Sequence, residues 1–211
     1  MNPKEMHYET LAKTVISNLE KRRMEGYYCA TAKEAVELAL SMVPSGTTVA
    51  HGGSMTLEDS GMIDALRKAD IHFLDRATCK TPEDNKKMFH DSLNADFYFM
   101  STNAITVNGE LVNIDGNGNR VAALIYGPEH VILLVGMNKI AANVDEAVSR
   151  IHTIATPMNC QRLNKKTPCT ATGVCADCLS PDCICNQVVI TRRSGLLGRI
   201  KVILIGEELG Y

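Results

Sequence analysis

The chain has no tryptophan and only four phenylalanines and six tyrosines among its 211 residues. So few rings leave little from which to build a base-stacking surface. Charge of one sign is lacking as well: 22 lysines and arginines face 24 acidic residues for a net charge of -2, without a polybasic block. Nothing in that balance attracts nucleic acid. No apolar run approaches the roughly 18 residues of a membrane span, and the opening MNPKEMHYETLAK is charged and amphipathic where a secretory signal has an apolar core. The expectation is a cytoplasmic protein with neither membrane nor nucleic acid as partner; a homo-oligomer stays open. No Walker lysine follows the glycine pair Gly52-Gly53, and the spacing GxGxxG is not met, so ATP and NAD are not indicated.

What is present is apolar periodicity. With 45% hydrophobic residues, the length suits one well-buried core, expected as a single α/β domain over residues 1–211. Tyr8, Leu11, Ala12, Val15, Ile16 and Leu19 fall at helical spacing before Gly26. A strand is expected at Tyr27–Ala30, then a helix opened by the capping pattern Thr31 and Glu34. Thr47–Ala50 reads as a strand, and His51-Gly52-Gly53-Ser54-Met55-Thr56 leads into a single helix bearing Met62, Ile63 and Leu66. A glycine pair between strand and helix lets backbone approach a ligand, which makes Gly52, Gly53, Ser54 and Thr56 a candidate anion cradle. The competing reading is a tight turn with Thr56 as a cap. His51 suits either a general acid–base or a structural hydrogen bond. Ile71–Leu74, the Asp75-Arg76 pair, expected to be solvated, and the helix start Thr81-Pro82-Glu83-Asp84 repeat the unit.

The densest stretch is 95–140. An apolar strand, Phe97–Met100, gives way to Ser101, Thr102 and Asn103; Asn108-Gly109 signals a hairpin, expected with positive φ at both residues; Val121–Tyr126 suits a short helix and Val131–Val135 a strand. That order leaves polar residues at the mouth of a sheet, where open α/β folds bind ligands. Asn103 and Asn119 can orient a substrate, Asp115 can act as base or counter-ion, and Arg120 can pair with a carboxylate or phosphate. Taken alone, Asp115-Gly116 is an ordinary turn.

GGSMT after a strand, then DFYFMSTNAITVNGELVNIDGNGNRVAALIYGPEHVILLVGMNKI, and finally ILIGEELGY, together resemble the LUD-domain (lactate-utilisation) family over nearly the whole chain. The resemblance implies a Rossmann-like, mainly parallel sheet flanked by helices, similar to ribose-5-phosphate isomerases and CoA transferases and, more distantly, to the initiation-factor-2B group. It further implies a subunit or accessory of a bacterial system that oxidises lactate to pyruvate, with a small anionic metabolite as ligand and iron–sulfur partner subunits taking the electrons. The alternative is a free-standing isomerase-, transferase- or ligase-like enzyme acting on a small phosphorylated, acyl or CoA-linked anion.

Beyond 140, Asn143 and Glu146 start a helix that Thr156-Pro157 is expected to stop, with His152 near its end. Residues 158–186 then hold six of the eight cysteines, Cys160, Cys169, Cys175, Cys178, Cys183 and Cys185, spaced C-x8-C-x5-C-x2-C-x4-C-x-C. This stretch reads as an insertion with too few large apolar residues for a core of its own, so a metal is a natural support. Cys175, Cys178, Cys183 and Cys185, with Cys169, are the candidate ligands; zinc and an iron–sulfur cluster both suit thiolates, and reduced thiols or redox disulfides are the alternatives. Val188–Thr191 and Ile200–Ile205 are expected as two final strands, and Arg192, Arg193 and Arg199 as a solvated basic cluster.

Overall fold

The structure, a computed structural model, describes residues 2–211. Helix α1 (Pro3–Lys21) opens on a full capping box between Asn2 and Glu5, and β1 (Glu25–Cys29) and α2 (Ala32–Ser41) follow. Strand β2 (Thr48–His51) leads to α3 (Met55–Asp59) and α4 (Met62–Lys68). The sequence suggested one helix here; Gly61, at φ +78°, breaks it in two, because a left-handed residue cannot continue an α-helix. Next come β3 (His72–Leu74), α5 (Pro82–Ser92), β4 (Phe97–Met100), β5 (Ala104–Thr106), β6 (Leu111–Asp115), α6 (Asn119–Ile125) and β7 (His130–Gly136). The chain closes with β8 (Ile140–Ala141), α7 (Val144–Arg150), α8 (Thr156–Arg162), α9 (Pro168–Thr172), β9 (Gln187–Thr191) and β10 (Ile200–Ile205).

Six strands form a wholly parallel sheet in the order β1-β10-β7-β4-β2-β3. Its central strands β4 and β7 are almost continuously buried, as expected when helices cover both faces. Ala12, Val15 and Leu19 of α1, with Ala123 and Leu124 of α6, line one face. Ala35 and Ala39 of α2, Leu57 of α3 and Met62, Ile63 and Leu66 of α4 line the other. Each Leu- or Phe-sized side chain buried this way contributes about 1.5–3 kcal/mol.

A second sheet, in the order β8-β5-β6-β9, grows from the chain that leaves the carboxyl ends of β4 and β7. Ala104, Val112 and Ile114 pack there against Ala147, Ile151 and Ala155. The expected pair of final strands is therefore split, with β9 bonded to β6 and β10 to β1 and β7. The hairpin turn also differs from expectation. Only Gly109 takes positive φ, and the amide of Gly109 donates to Thr106 O at 2.8 Å, which marks a three-residue loop closed by a glycine bulge.

Thr156-Pro157 does not stop the preceding helix. Residues Ile151–Ala155 form a π-helical stretch in which the amide of Thr156 reaches back to Ile151 O, and because Ala155 and Thr156 keep helical φ and ψ the helix runs on through Pro157, the wider turn absorbing the proline ring.

Candidate functional site

Between the carboxyl edge of the main sheet and the second sheet lies a cavity of about 750 Å³. Strand order makes this a topological switch: from β2 the chain moves outward to β3, whereas from β4 it moves the other way to β7. His51, Asp75 and Arg76, Ser101 to Asn103, and Lys139 enter the cavity from the ends of β2, β3, β4 and β7 respectively, and Asp115, Asn119 and Arg120 from the β6–α6 turn. Of the residues expected to form a site, Asn103, Asp115, Arg120, Gly53, Ser54, Asn119 and Cys183 line it.

Arg120 is the organising clamp. Its Nε meets Asp115 Oδ2 at 3.0 Å, Nη1 donates to Ser101 O at 3.1 Å and to Asn113 Oδ1, and Nη2 donates to Asn103 Oδ1 at 3.0 Å and Ile114 O at 3.3 Å. Four of the five guanidinium donors are thus hydrogen-bonded by the protein, and the Nε side is held in the ion pair with Asp115. Asp115 is held equally firmly, since its Oδ1 accepts from the Gly118 amide at 2.9 Å. The local turn and the ion pair coexist in one residue, and together they fix β4, β6 and α6 to one another.

Lys139 shares the cavity but not that compensation. It is only 4% exposed, and its Nζ donates to Thr56 Oγ1 at 2.7 Å, Ser101 Oγ at 3.2 Å and Thr102 O at 3.4 Å, all of them uncharged acceptors. Burial, reinforced by the positive charges of Arg150 and Arg120 and only partly offset by Asp59, pulls its pKa down to about 7. The sequence reading passed over this residue. Its available signal was a lone charge between Met137 and Ile140, just beyond a buried strand.

The glycine pair serves the cavity differently from a ligand cradle. A Cβ on Gly52 would meet Tyr98 Oη at 3.0 Å and Arg120 Cδ at 3.2 Å, and one on Gly53 would meet Arg76 Nη1 at 3.0 Å. The space above both residues is therefore taken by the protein's own arginines. The Gly52 amide donates to Phe99 O at 2.9 Å, and Thr56 is fully buried, donating to Leu209 O at 3.2 Å while it accepts from Lys139. Ser54 precedes α3 without a side-chain capping bond and faces the cavity.

Asp75 and Arg76 do not form the expected solvated pair. Asp75 bonds Arg67 at 2.8 Å and lies 3.8 Å from His51 Nε2. Burial opposes its charge, but the Arg67 hydrogen bond and the Ala77 amide prevail and hold its pKa below the usual carboxylate value. His51 rests against Phe73, with Nδ1 3.2 Å from Gly52 O and Nε2 buried without a partner, and burial lowers its pKa. Arg76 stacks its guanidinium over Phe89 at 4.9 Å and lines the cavity.

A family profile described as the LUD domain matches residues 12–205. The chain belongs to the LUD-domain family. Among solved structures, a DUF162 family protein from Deinococcus radiodurans is similar across 94% of this chain and 98% of its own, at 14% identity and a TM-score of 0.52. Ribose 5 phosphate isomerase A from Neisseria gonorrhoeae is similar over 54% of each chain, at 14% identity and a TM-score of 0.35. A variant of the decarboxylase AibA/AibB is similar over 55% of this chain and 65% of its own, at 16% identity and a TM-score of 0.39. No curated protein matches. No helix among the described residues is long and apolar enough to cross a membrane.

The cysteines of this LUD domain depart from the expected ligand set. Among the described residues no three His, Cys, Asp or Glu side chains converge in a way that could hold a metal ion. Five of the six thiols lie near one another, Cys160 within hydrogen-bonding reach of Cys169 and Cys185 in the field of Cys183, Cys160 and Cys175. Several also meet other side chains: Cys175 Sγ lies 3.4 Å from His152 Nδ1, Cys185 Sγ donates to Thr156 Oγ1 at 3.6 Å, and Cys169 Sγ lies 3.2 Å from Thr167 Oγ1. Cys178 joins none of these, and Cys183 accepts from the Cys185 amide at 3.4 Å. As placed, the thiols do not form a closed ligand set for zinc or an iron–sulfur cluster. Burial raises the Cys160 and Cys185 pKa values to about 11. The segment supports the cavity in another way. The Asn186 amide donates to Asp115 O at 3.0 Å and Asn186 Nδ2 to Gly116 O at 3.0 Å, which seats Cys183 and Ile184 as one wall.

Proposed function

We propose that this LUD-domain protein binds a small organic anion at the sheet mouth, as a subunit or accessory in lactate oxidation or a related redox system. The observation that carries this reading is the buried Lys139 amine, whose three acceptors are all neutral in a cavity that also presents Arg76, Arg162 and Lys165. A buried cation without a counter-charge is costly, and an incoming carboxylate or phosphate supplies one. The reading places electron-carrying clusters on partner subunits.

The cavity volume favours a second reading. About 750 Å³ is suited to a ligand much larger than lactate, and a phosphorylated or CoA-linked anion turned over by a free-standing enzyme would use more of it. Calorimetric titration with lactate, pyruvate and inorganic phosphate tests the shared core of both readings. Binding of at least one anion is expected, and Lys139→Met should weaken it by at least ~10-fold, equivalent to about 1.4 kcal/mol. Equal affinity in the variant would remove Lys139 from the site.

A further inference from the structure

We propose that Lys139 is a covalent ligand as well as a charge: its amine forms a reversible imine with the carbonyl carbon of an anionic ketone admitted to the cavity. This rests on the anion-binding reading and narrows its ligand class to compounds that carry both a carbonyl and a negative group.

Three features of the geometry lead there. First, Lys139 lines the cavity yet is almost wholly withdrawn from solvent, so a bound carbonyl and the amine would meet with little water between them. Second, no carboxylate pairs with Nζ among the described residues, unlike Arg120, whose Nε lies 3.0 Å from Asp115 Oδ2. An ion pair would lock the amine in its unreactive protonated form; neutral acceptors do not. Third, two hydroxyls stand beside the nitrogen, Thr56 Oγ1 at 2.7 Å and Ser101 Oγ at 3.2 Å. Such groups can pass a proton between nitrogen and an adjacent oxygen. With its pKa pulled to about 7 by burial, Arg150 and Arg120, against the opposing charge of Asp59, a large share of the amine is neutral near neutrality. Of these two arginines, Arg150 donates only to the carbonyls of Asn138 and Asn103 and has no carboxylate partner among the described residues, so its positive field favours an anionic ketone over a neutral one.

The step balances without an oxidant or reductant. The lone pair of neutral Nζ adds to the carbonyl carbon, forming the C–N bond while the π pair moves to oxygen. One proton passes from nitrogen to that oxygen through a neighbouring hydroxyl. The resulting hydroxyl then leaves as water with the second amine proton, and the nitrogen pair closes the C=N bond. One water is released, and hydrolysis returns both partners. Two kinds of small molecule share the required chemistry, 2-oxo acids and ketose phosphates.

Wild-type protein treated with sodium borohydride in the presence of pyruvate or of dihydroxyacetone phosphate distinguishes these sources. The expected result is a mass gain, with one probe, of that probe less water plus two hydrogens, and peptide mapping that places it on Lys139. Lactate, which has no carbonyl, should compete for the site yet leave no adduct. Trapping should rise as pH climbs through about 7, following the neutral amine, whereas purely ionic binding of lactate should weaken over the same range. An adduct shared equally among exposed lysines such as Lys13 and Lys87, or no adduct with either probe, would overturn the imine. If calorimetric anion binding persists in that case, the anion site stands and only its covalent step falls.

Discussion

Two basic side chains reach the same cavity and are treated in opposite ways. Arg120 has both Nη nitrogens hydrogen-bonded and a carboxylate against its Nε. Lys139 is similarly withdrawn from water yet meets only two hydroxyls and a carbonyl. A fully compensated buried charge can join chain segments, but it has nothing left to offer a ligand; an uncompensated one does little to join segments and keeps its charge available. The residue that looks most like an anion receptor in the sequence is thus paired within the protein, and the proposed anion site rests on the inconspicuous lysine instead.

Arg120→Ala tests this contrast most severely. It leaves the buried Asp115 carboxylate without its counter-charge and takes one donor each from Asn103 Oδ1 and Asn113 Oδ1, which keep the Ile114 and Asn103 amides, and we expect a loss of about 3–5 kcal/mol in urea denaturation. Arg120→Lys should recover little, because an ammonium cannot reproduce the planar fork. Lys139→Met should leave the urea midpoint unchanged or raised while anion binding is lost. A strong loss of stability in this variant with binding intact would reverse the two assignments. The smallest effect belongs to the rim. Arg162 is exposed and Lys165 half-buried, so Arg162→Ala and Lys165→Ala should each weaken anion binding by only about 2- to 5-fold, an effect that vanishes at high salt. A salt-insensitive loss at the rim exceeding that of Lys139→Met would move the binding centre outward.

The elements were largely legible in the sequence because local chemistry agreed with the fold. Thr81-Pro82 and Asp84 cap α5 as read, and the apolar runs at Phe97–Met100 and Val131–Val135 are central strands. Errors arose where one residue has two lawful roles. A proline usually ends a helix, but a π-helical stretch lets this one run on through Pro157. Arg199 reads as part of a solvated basic turn, yet it is buried and donates to Pro128 O, Leu124 O and Ala123 O, closing the end of α6. The cysteines share short spacings, but spacing alone does not bring sulfur atoms to one point.

The site was harder to read than the fold because its partners are far apart along the chain. Lys139 finds Thr56 at a separation of 83 residues and Ser101 at 38, and no local pattern encodes either meeting. Asn103, Asp115 and Arg120 were recognisable as a polar excess in the central stretch. That excess belongs to a clamp that is visible only once the four hydrogen bonds and the ion pair of Arg120 are traced.

Everything proposed for the cavity depends on Lys139 being an uncompensated amine awaiting an anion. Its titration can be followed through the Cε resonance of isotopically labelled lysine, assigned by comparison with Lys139→Met, in free protein and with a saturating non-carbonyl anion such as lactate. A depressed pKa means that the ammonium is disfavoured in the empty cavity, and an anion that favours the ammonium must raise it. The predicted result is a midpoint near 7 in the free protein that moves upward on anion binding. A midpoint close to the ordinary lysine value of 10.5, unmoved by the anion, would contradict this role for Lys139.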